Sequence, residues 1–368
     1  MSFPRKRESI VIIRVDARLR GHDIEKAMTL QEYLQAQLEQ SARYTLTDAD
    51  RVLIEHDGME AFIFKTLMRK PFRKWALPEE LLQRIHKAIQ YSVQQNEPIH
   101  CVWPFGGYKL WRLPSSPEVD WAEFFSILYF NEYFSPITAA YSPGVRFVFT
   151  SDDHLLTQLS NIPQTETDAY CDSLERLIAV LAKSLPNNMQ FFLLRFAAII
   201  EKNKTAYVEQ LAKAVHEQEK IFSRVSEESR AAELRKAALN IRWDGAENLT
   251  GITEEEKRRF IEKAPVLHDA HYSTPLVREY YAQQGLLEVF TTKFGSNIAI
   301  GTTKSSRTKF WTGFGILEKH KDSWQPRILS PQQFEKAKDM PHDVVPSDLI
   351  PLKNFTEIWT FPEAFSFS

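Results

Sequence analysis

Three short runs of β-branched and aromatic residues limit what this chain can fold into more than any other feature. IHCVW (99–103) leads into PFGGYK, VRFVFT (145–150) into SDDHLL, and MQFFLLR (189–195) into a long helical stretch. Runs without polar alternation suit strands buried on both faces, and a helix between successive strands is the crossover that parallel pairing needs. The expected fold class is α/β, a Rossmann-like sheet flanked by helices. Further strands are expected at LLEVF (286–290), NIAIGT (297–302) and GFGILE (313–318). Their close spacing without intervening helices predicts antiparallel pairing, and so one mixed sheet.

Before the first strand the pattern is helical, a lead-in over 28–95. Leu30, Tyr33, Leu34 and Leu38 share a face, Thr47 caps DADRVLIEH, and Pro78 opens a third helix. A helix near 120–134 is aromatic on several faces, through Trp121, Phe124, Phe125, Tyr129, Phe130 and Phe134, and is expected to be sandwiched. In 201–240, Val208, Leu211, Val215, Phe222 and Val225 recur at helical spacing, predicting one long helix or a helical pair. The pattern weakens at Gln218 and Ser229, which favours packing over the sheet against a dimerising coiled coil and leaves a homodimer open. The α/β catalytic domain is expected over 96–320. The Pro-rich tail 321–368, with Trp324 and Trp359, reads as an extension wrapped on the same domain.

The first 27 residues keep no period. They resemble the peptide translated from dispersed palindromic repeats of bacterial genomes, with FPRKRES and DARLRGHD as its arms. Met28 is the expected true start, with 1–27 disordered or never made. The segment also distorts the charge: the chain carries −2, and removing the segment's seven basic and four acidic residues leaves 341 residues at −5. No basic field is present to hold nucleic acid. Cys101 and Cys171 build neither a disulfide framework nor a Cys-rich zinc site, and a reducing cytoplasm is expected. FFLLRFAAII, ten residues with an arginine inside, is well short of the roughly 20 that span a bilayer. Neither a membrane partner nor a secretory signal is expected.

Open α/β sheets bind ligands outside the carboxyl ends of their strands. That rule selects Gly106, Gly107, Lys109 and Arg112 after the first strand, Ser151, Asp152, Asp153 and His154 after the second, and Arg195 ending the third. Glycines admit close approach, and lysine and arginine suit a phosphate or carboxylate, so together these residues describe an anion-binding cleft with acids beside it. Each also has a plainer reading: the glycines as a turn, and Ser151, Asp152 and Asp153 as a helix N-cap. His268 and His271 flank Asp269 in PVLHDAHYSTP, a spacing open to metal binding or proton transfer, or simply to a hydrogen-bonded loop. TTKSSRTKFWTG (302–313) gathers Lys304, Ser305, Ser306, Arg307 and Lys309, a second anion clamp or an exposed hairpin tip. Cys101 and Cys171 read as packing residues. No Walker or dinucleotide fingerprint is present, which disfavours a P-loop ATPase or a nicotinamide enzyme, and no nucleophile elbow or metalloprotease helix motif occurs.

Taken in order, WPFGGYK with Lys109, PEVDWAE with Asp120 and Glu123, ITAAYSPG with Tyr141, Pro143 and Gly144, and TSDDHLL with Ser151 and Asp152 make segment 103–170 similar to the isocyanide (isonitrile) synthase family of pyoverdine and dityrosine biosynthesis. HDAH and KFWTG resemble its C-terminal half more loosely. The chain departs from the family at Leu110, where serine is usual, at Asp153, in a glycine position, and at Thr312, where histidine is expected. The resemblance implies a Rossmann-like enzyme that converts the amino group of an aromatic amino acid into an isonitrile, taking its carbon from ribulose 5-phosphate with no metal or organic cofactor. Lys109, Arg112 and Arg195 would hold the phosphate, and Asp152, Asp153 or His154 would move protons. The altered positions motivate an alternative, a binding or interaction module that kept the fold. A metal-dependent oxygenase using His268, Asp269 and His271 is a third reading.

Overall fold

The computed structural model describes residues 29–69, 76–106, 116–151, 153–160, 162–244, 252–283, 297–299, 314–320, 323–329 and 331–362. The chain enters through α1 (Leu30–Ser41), α2 (Asp48–Leu67) and α3 (Glu79–Gln95). Thr29 and Thr47 cap the first two, with Glu32 and Asp50 reaching back to close capping boxes that satisfy otherwise orphaned backbone donors. Tyr33, Leu34 and Leu38 are buried, as their periodicity expects.

A parallel sheet follows, with β1 (Ile99–Gly106), α4 (Trp121–Ala140), β2 (Val145–Ser151), α5 (Leu156–Ser160), α6 (Gln164–Leu181) and β3 (Met189–Arg195) in turn. The helices α7 (Ala197–Lys202), α8 (Lys204–Arg224), α9 (Glu227–Asp244), α10 (Glu254–Ser273) and α11 (Pro275–Gln283) come next. β4 (Asn297–Ala299) then joins the far side of β1, giving the all-parallel order β3-β2-β1-β4. The two faces of the strands serve two cores. Cys101, Trp103, Phe147, Phe149 and Phe191 pack with α4 on one side. Val102 and Val148 meet Phe196, Ile200 of α7, Tyr207 of α8 and Val277 of α11 on the other. This double burial is why β1 and β2 read as continuous apolar runs, while β3, at the edge, leaves Gln190 and Phe192 exposed.

The last strands, β5 (Phe314–His320), β6 (Ser323–Leu329), β7 (Asp343–Pro346) and β8 (Glu357–Phe361), with α12 (Pro331–Ala337) between β6 and β7, build a second, mixed sheet of order β6-β5-β8-β7. β5 is antiparallel to β6 and parallel to β8, which is antiparallel to β7. α4 lies between the two sheets, and this is why it is aromatic on several faces. Its Trp121 indole N–H donates to the Glu357 carbonyl at 2.7 Å. A Cβ on Gly315 of β5 would stand 2.3 Å from the Ala122 nitrogen, so only glycine admits this approach.

Several expectations change. The single mixed sheet is two sheets: 297–299 is a parallel edge of the first, and 314–320 belongs to the second, in a hairpin with 323–329. Spacing misled because short strands pair where a core covers them, and two cores are available. The region after His320 supplies most of the second sheet, so a boundary at 320 cuts that hairpin. The stretch 201–240 resolves into the helical pair α8 and α9, broken at Val225. Its buried positions among the described residues are Tyr207, Ala214 and Ala237, while Val208 faces out at 56% exposure. Segment 1–27, Met28 and the strand expected at 286–290 lie outside the described residues. Among the described residues no helix is long and apolar enough to cross a membrane.

Candidate active site

The carboxyl ends of β2 and β3 bring together a dense polar cluster. Ser151, the last residue of β2, accepts a hydrogen bond from the Asp153 backbone N–H at 3.1 Å, and its hydroxyl lies 3.7 Å from the Cys171 sulfur of α6. This turn sends the Asp153 side chain inward, where it is fully buried. Its Oδ1 accepts from the backbone N–H groups of His154 (3.0 Å) and Ala197 (3.2 Å), and its Oδ2 from Arg195 Nε at 3.0 Å. Asp153 therefore ties the loop after β2 to the start of α7 instead of capping α5.

Arg195 ends β3 and also donates to Asp168 and, at 2.7 Å, to Asp172, one helical turn apart on α6. Its expected role as a free phosphate ligand is corrected: all three guanidinium nitrogens face carboxylates. Among the described residues, one cation therefore stands among three carboxylates. Burial raises the Asp153 carboxyl above its ordinary range even though Arg195 opposes the shift. Burial, reinforced by Asp153, pushes the Cys171 thiol up to about 12, so it is a packing residue and no thiolate nucleophile.

Beside this cluster His154 turns its ring edge-on to Tyr207, with centroids 5.1 Å apart, and burial lowers its pKa. The Tyr207 hydroxyl lies 2.9 Å from Nδ1 of His271, a fully buried residue in the last turn of α10. Burial, then His268 and His154, push the His271 imidazole down to about 3, so it is neutral at neutral pH. Its Nε2 is buried without a hydrogen-bond partner among the described residues. The HDAH segment is thus helical and not a loop, and the helix divides its members. His268 and Asp269 pair with each other at 3.3 Å on the exposed side, while His271 points inward. Among the described residues no group of three or more His, Cys, Asp or Glu side chains could hold a metal ion.

Gly106 ends β1 opposite Ser151, after a bulge between Pro104 and Gly106. Gly107, Lys109, Arg112, Asp152, Lys304 and Ser305 lie outside the described residues, as do Leu110, Ser306, Arg307, Lys309 and Thr312. Three participants escaped sequence reasoning. Asp168 and Asp172 carried a signal, two carboxylates four apart on one helix face, whereas Tyr207 carried none, since its neighbour Val208 fits the apolar period equally well. Several residues of the ordered motif series are scaffold. Asp120 and Glu123 close the capping box of α4. The Tyr141 hydroxyl lies within 3.0 Å of the Ser92 carbonyl and 2.8 Å of the Glu97 carbonyl. Gly144 takes a left-handed φ of 72°.

A parallel sheet with helices on both faces and ionisable groups at its carboxyl edge defines an α/β protein with its polar cluster where open α/β sheets bind ligands. Residues 89–251 match the family model described as pyoverdine/dityrosine biosynthesis protein, and this segment is similar to that family. It is also similar in structure to PvcA from Pseudomonas aeruginosa, with a TM-score of 0.56 and 17% sequence identity over 82% of this chain and 99% of that one. At that identity the likeness speaks for the fold. No curated protein sequence matches the chain.

Proposed function

We propose that this chain is a biosynthetic enzyme that converts the amino group of an aromatic amino acid into an isonitrile, with ribulose 5-phosphate as carbon donor. The observation that carries the reading is the grouping of Asp153, Asp168 and Asp172 around Arg195, with His154 beside them, at the carboxyl edge of the parallel sheet. Its net negative charge suits the incoming ammonium group. His154, with its pKa lowered by burial, suits proton transfer as an imine-type adduct forms and eliminates. The phosphate would fall to Lys109 and Arg112, which follow β1 in sequence, and to Lys304 and Ser305, which follow β4. β1 and β4 flank the reversal of strand order, where open α/β sheets bind ligands. Incubation with tyrosine or tryptophan and ribulose 5-phosphate, read by mass spectrometry, should yield the isonitrile. No product across a panel of amino acids overturns the assignment.

A second reading, a binding module that kept the fold, draws on Asp153. It stands in a glycine position of the motif and is locked to Arg195. Lys109→Ala separates the two readings, since a module loses only affinity while an enzyme loses turnover.

A further inference from the structure

We propose that His271 contacts the substrate, its Nε2–H donating to the ketone oxygen of the sugar phosphate with Tyr207 as its positioning residue. The carbonyl-bearing ligand is taken from the functional reading above; the donor itself rests on geometry. The Tyr207 hydroxyl is buried, and its hydrogen-bond partner is Nδ1 of His271 at 2.9 Å. Among the described residues Nδ1 is the acceptor within reach of the phenol, and donation to it places the single proton of the neutral ring on Nε2. That N–H is then a buried donor with no acceptor among the described residues, an arrangement proteins rarely leave unmet. Phe196 and Tyr272 stand edge-on to the His271 ring, at 5.3 and 4.9 Å, and give it a dry setting in which a hydrogen bond is strong.

The position fits a ligand of the sheet edge. His154 follows β2, Phe196 follows β3, and Tyr207 opens α8, so His271 packs among residues that leave the carboxyl ends of two strands. A neutral donor also fits one part of the substrate better than another. A phosphate calls for a cation, whereas a carbonyl that gains negative charge as an amine adds to it is stabilised by a fixed neutral N–H.

The test compares binding of ribulose 5-phosphate and ribitol 5-phosphate, which lacks the carbonyl, to the full chain by calorimetry. His271→Leu should weaken the ketose phosphate by about tenfold or more and leave the alditol phosphate within about twofold. His271→Gln, whose amide N–H can stand near Nε2, should recover most of the loss, and Tyr207→Phe should give an intermediate one. Nitrogen NMR of histidine-labelled wild-type protein, which needs no variant to fold, should show Nδ1 unprotonated and an Nε2–H signal that moves with the ketose phosphate only. Equal binding by His271→Leu, equal loss of both ligands, or a protonated Nδ1 overturns the inference. Normal isonitrile formation by His271→Leu also overturns it while leaving the proposed function intact. Absence of isonitrile with His271-dependent ketose binding does the reverse, and no ketose binding by the wild-type protein overturns both.

Discussion

Replacing Arg195 by glutamine isolates what holds the loops after β2 and β3 together. The guanidinium side chain is 18% exposed and serves carboxylates of very different burial: Asp153 at 0%, Asp168 at 43% and Asp172 at 60%. The two outer pairs are solvent-screened and contribute at most about 1 kcal/mol each. The inner one differs, because removing Arg195 leaves a buried carboxylate without its counter-charge, a change that costs about 3–5 kcal/mol in comparable sites. Asp153 keeps its two backbone N–H donors from His154 and Ala197, so the total should fall within that range and not above it. Urea unfolding followed by tryptophan fluorescence measures it. Asp153→Asn added to Arg195→Gln should return much of the loss, since asparagine keeps an acceptor for those N–H groups and carries no charge. Burial already raises the Asp153 pKa, and losing Arg195 raises it further. A carboxyl raised in the folded state is most stabilising when protonated. The deficit of Arg195→Gln should therefore be full above the raised pKa and shrink as pH falls toward the unfolded value of about 3.9. A loss below about 1 kcal/mol, a double variant no more stable than the single one, or a deficit flat with pH would refute the reasoning.

Gly144 offers a backbone test. At φ 72° its added Cβ would lie 1.9 Å from the Asn188 carbonyl oxygen, so Gly144→Ala should destabilise by about 2–4 kcal/mol in the same unfolding assay. An unchanged midpoint contradicts the close approach. Both thiols are buried, and that of Cys171 is pushed up to about 12. A thiol reagent at pH 8 should accordingly label neither native cysteine on the timescale that labels the urea-unfolded chain, and rapid native labelling of Cys171 would show an open site instead.

Much of the scaffold was legible in the sequence for local reasons. Thr47 and Pro78 announce helix starts, because capping acts within a few residues. VRFVFT announces a strand covered on both faces, because an inner strand of a parallel sheet meets apolar neighbours on each side, whereas MQFFLLR forms the edge strand β3 and leaves Gln190 and Phe192 exposed. The rule that ligands gather at the carboxyl ends of strands pointed to Ser151, Asp153, His154 and Arg195 before any contact was known, and the structure places them side by side. Ser151 also carried the family resemblance, in order along the chain with Tyr141 and Gly144, and those two residues hold the backbone.

What each of these groups does was decided only by the tertiary structure. Arg195 reads as an anion ligand from its residue type, yet α6 brings two further carboxylates to it, and charge depends on everything within a few ångströms whatever its distance along the chain. HDAH reads as one cluster, yet the helical twist turns His268 outward and His271 inward. The Tyr207 hydroxyl meets Nδ1 of His271 across 64 residues, a pairing that exists only because α8 and α10 pack together. Sequence determined the elements and the edge of the sheet where chemistry belongs. Packing determined which donors and charges meet there.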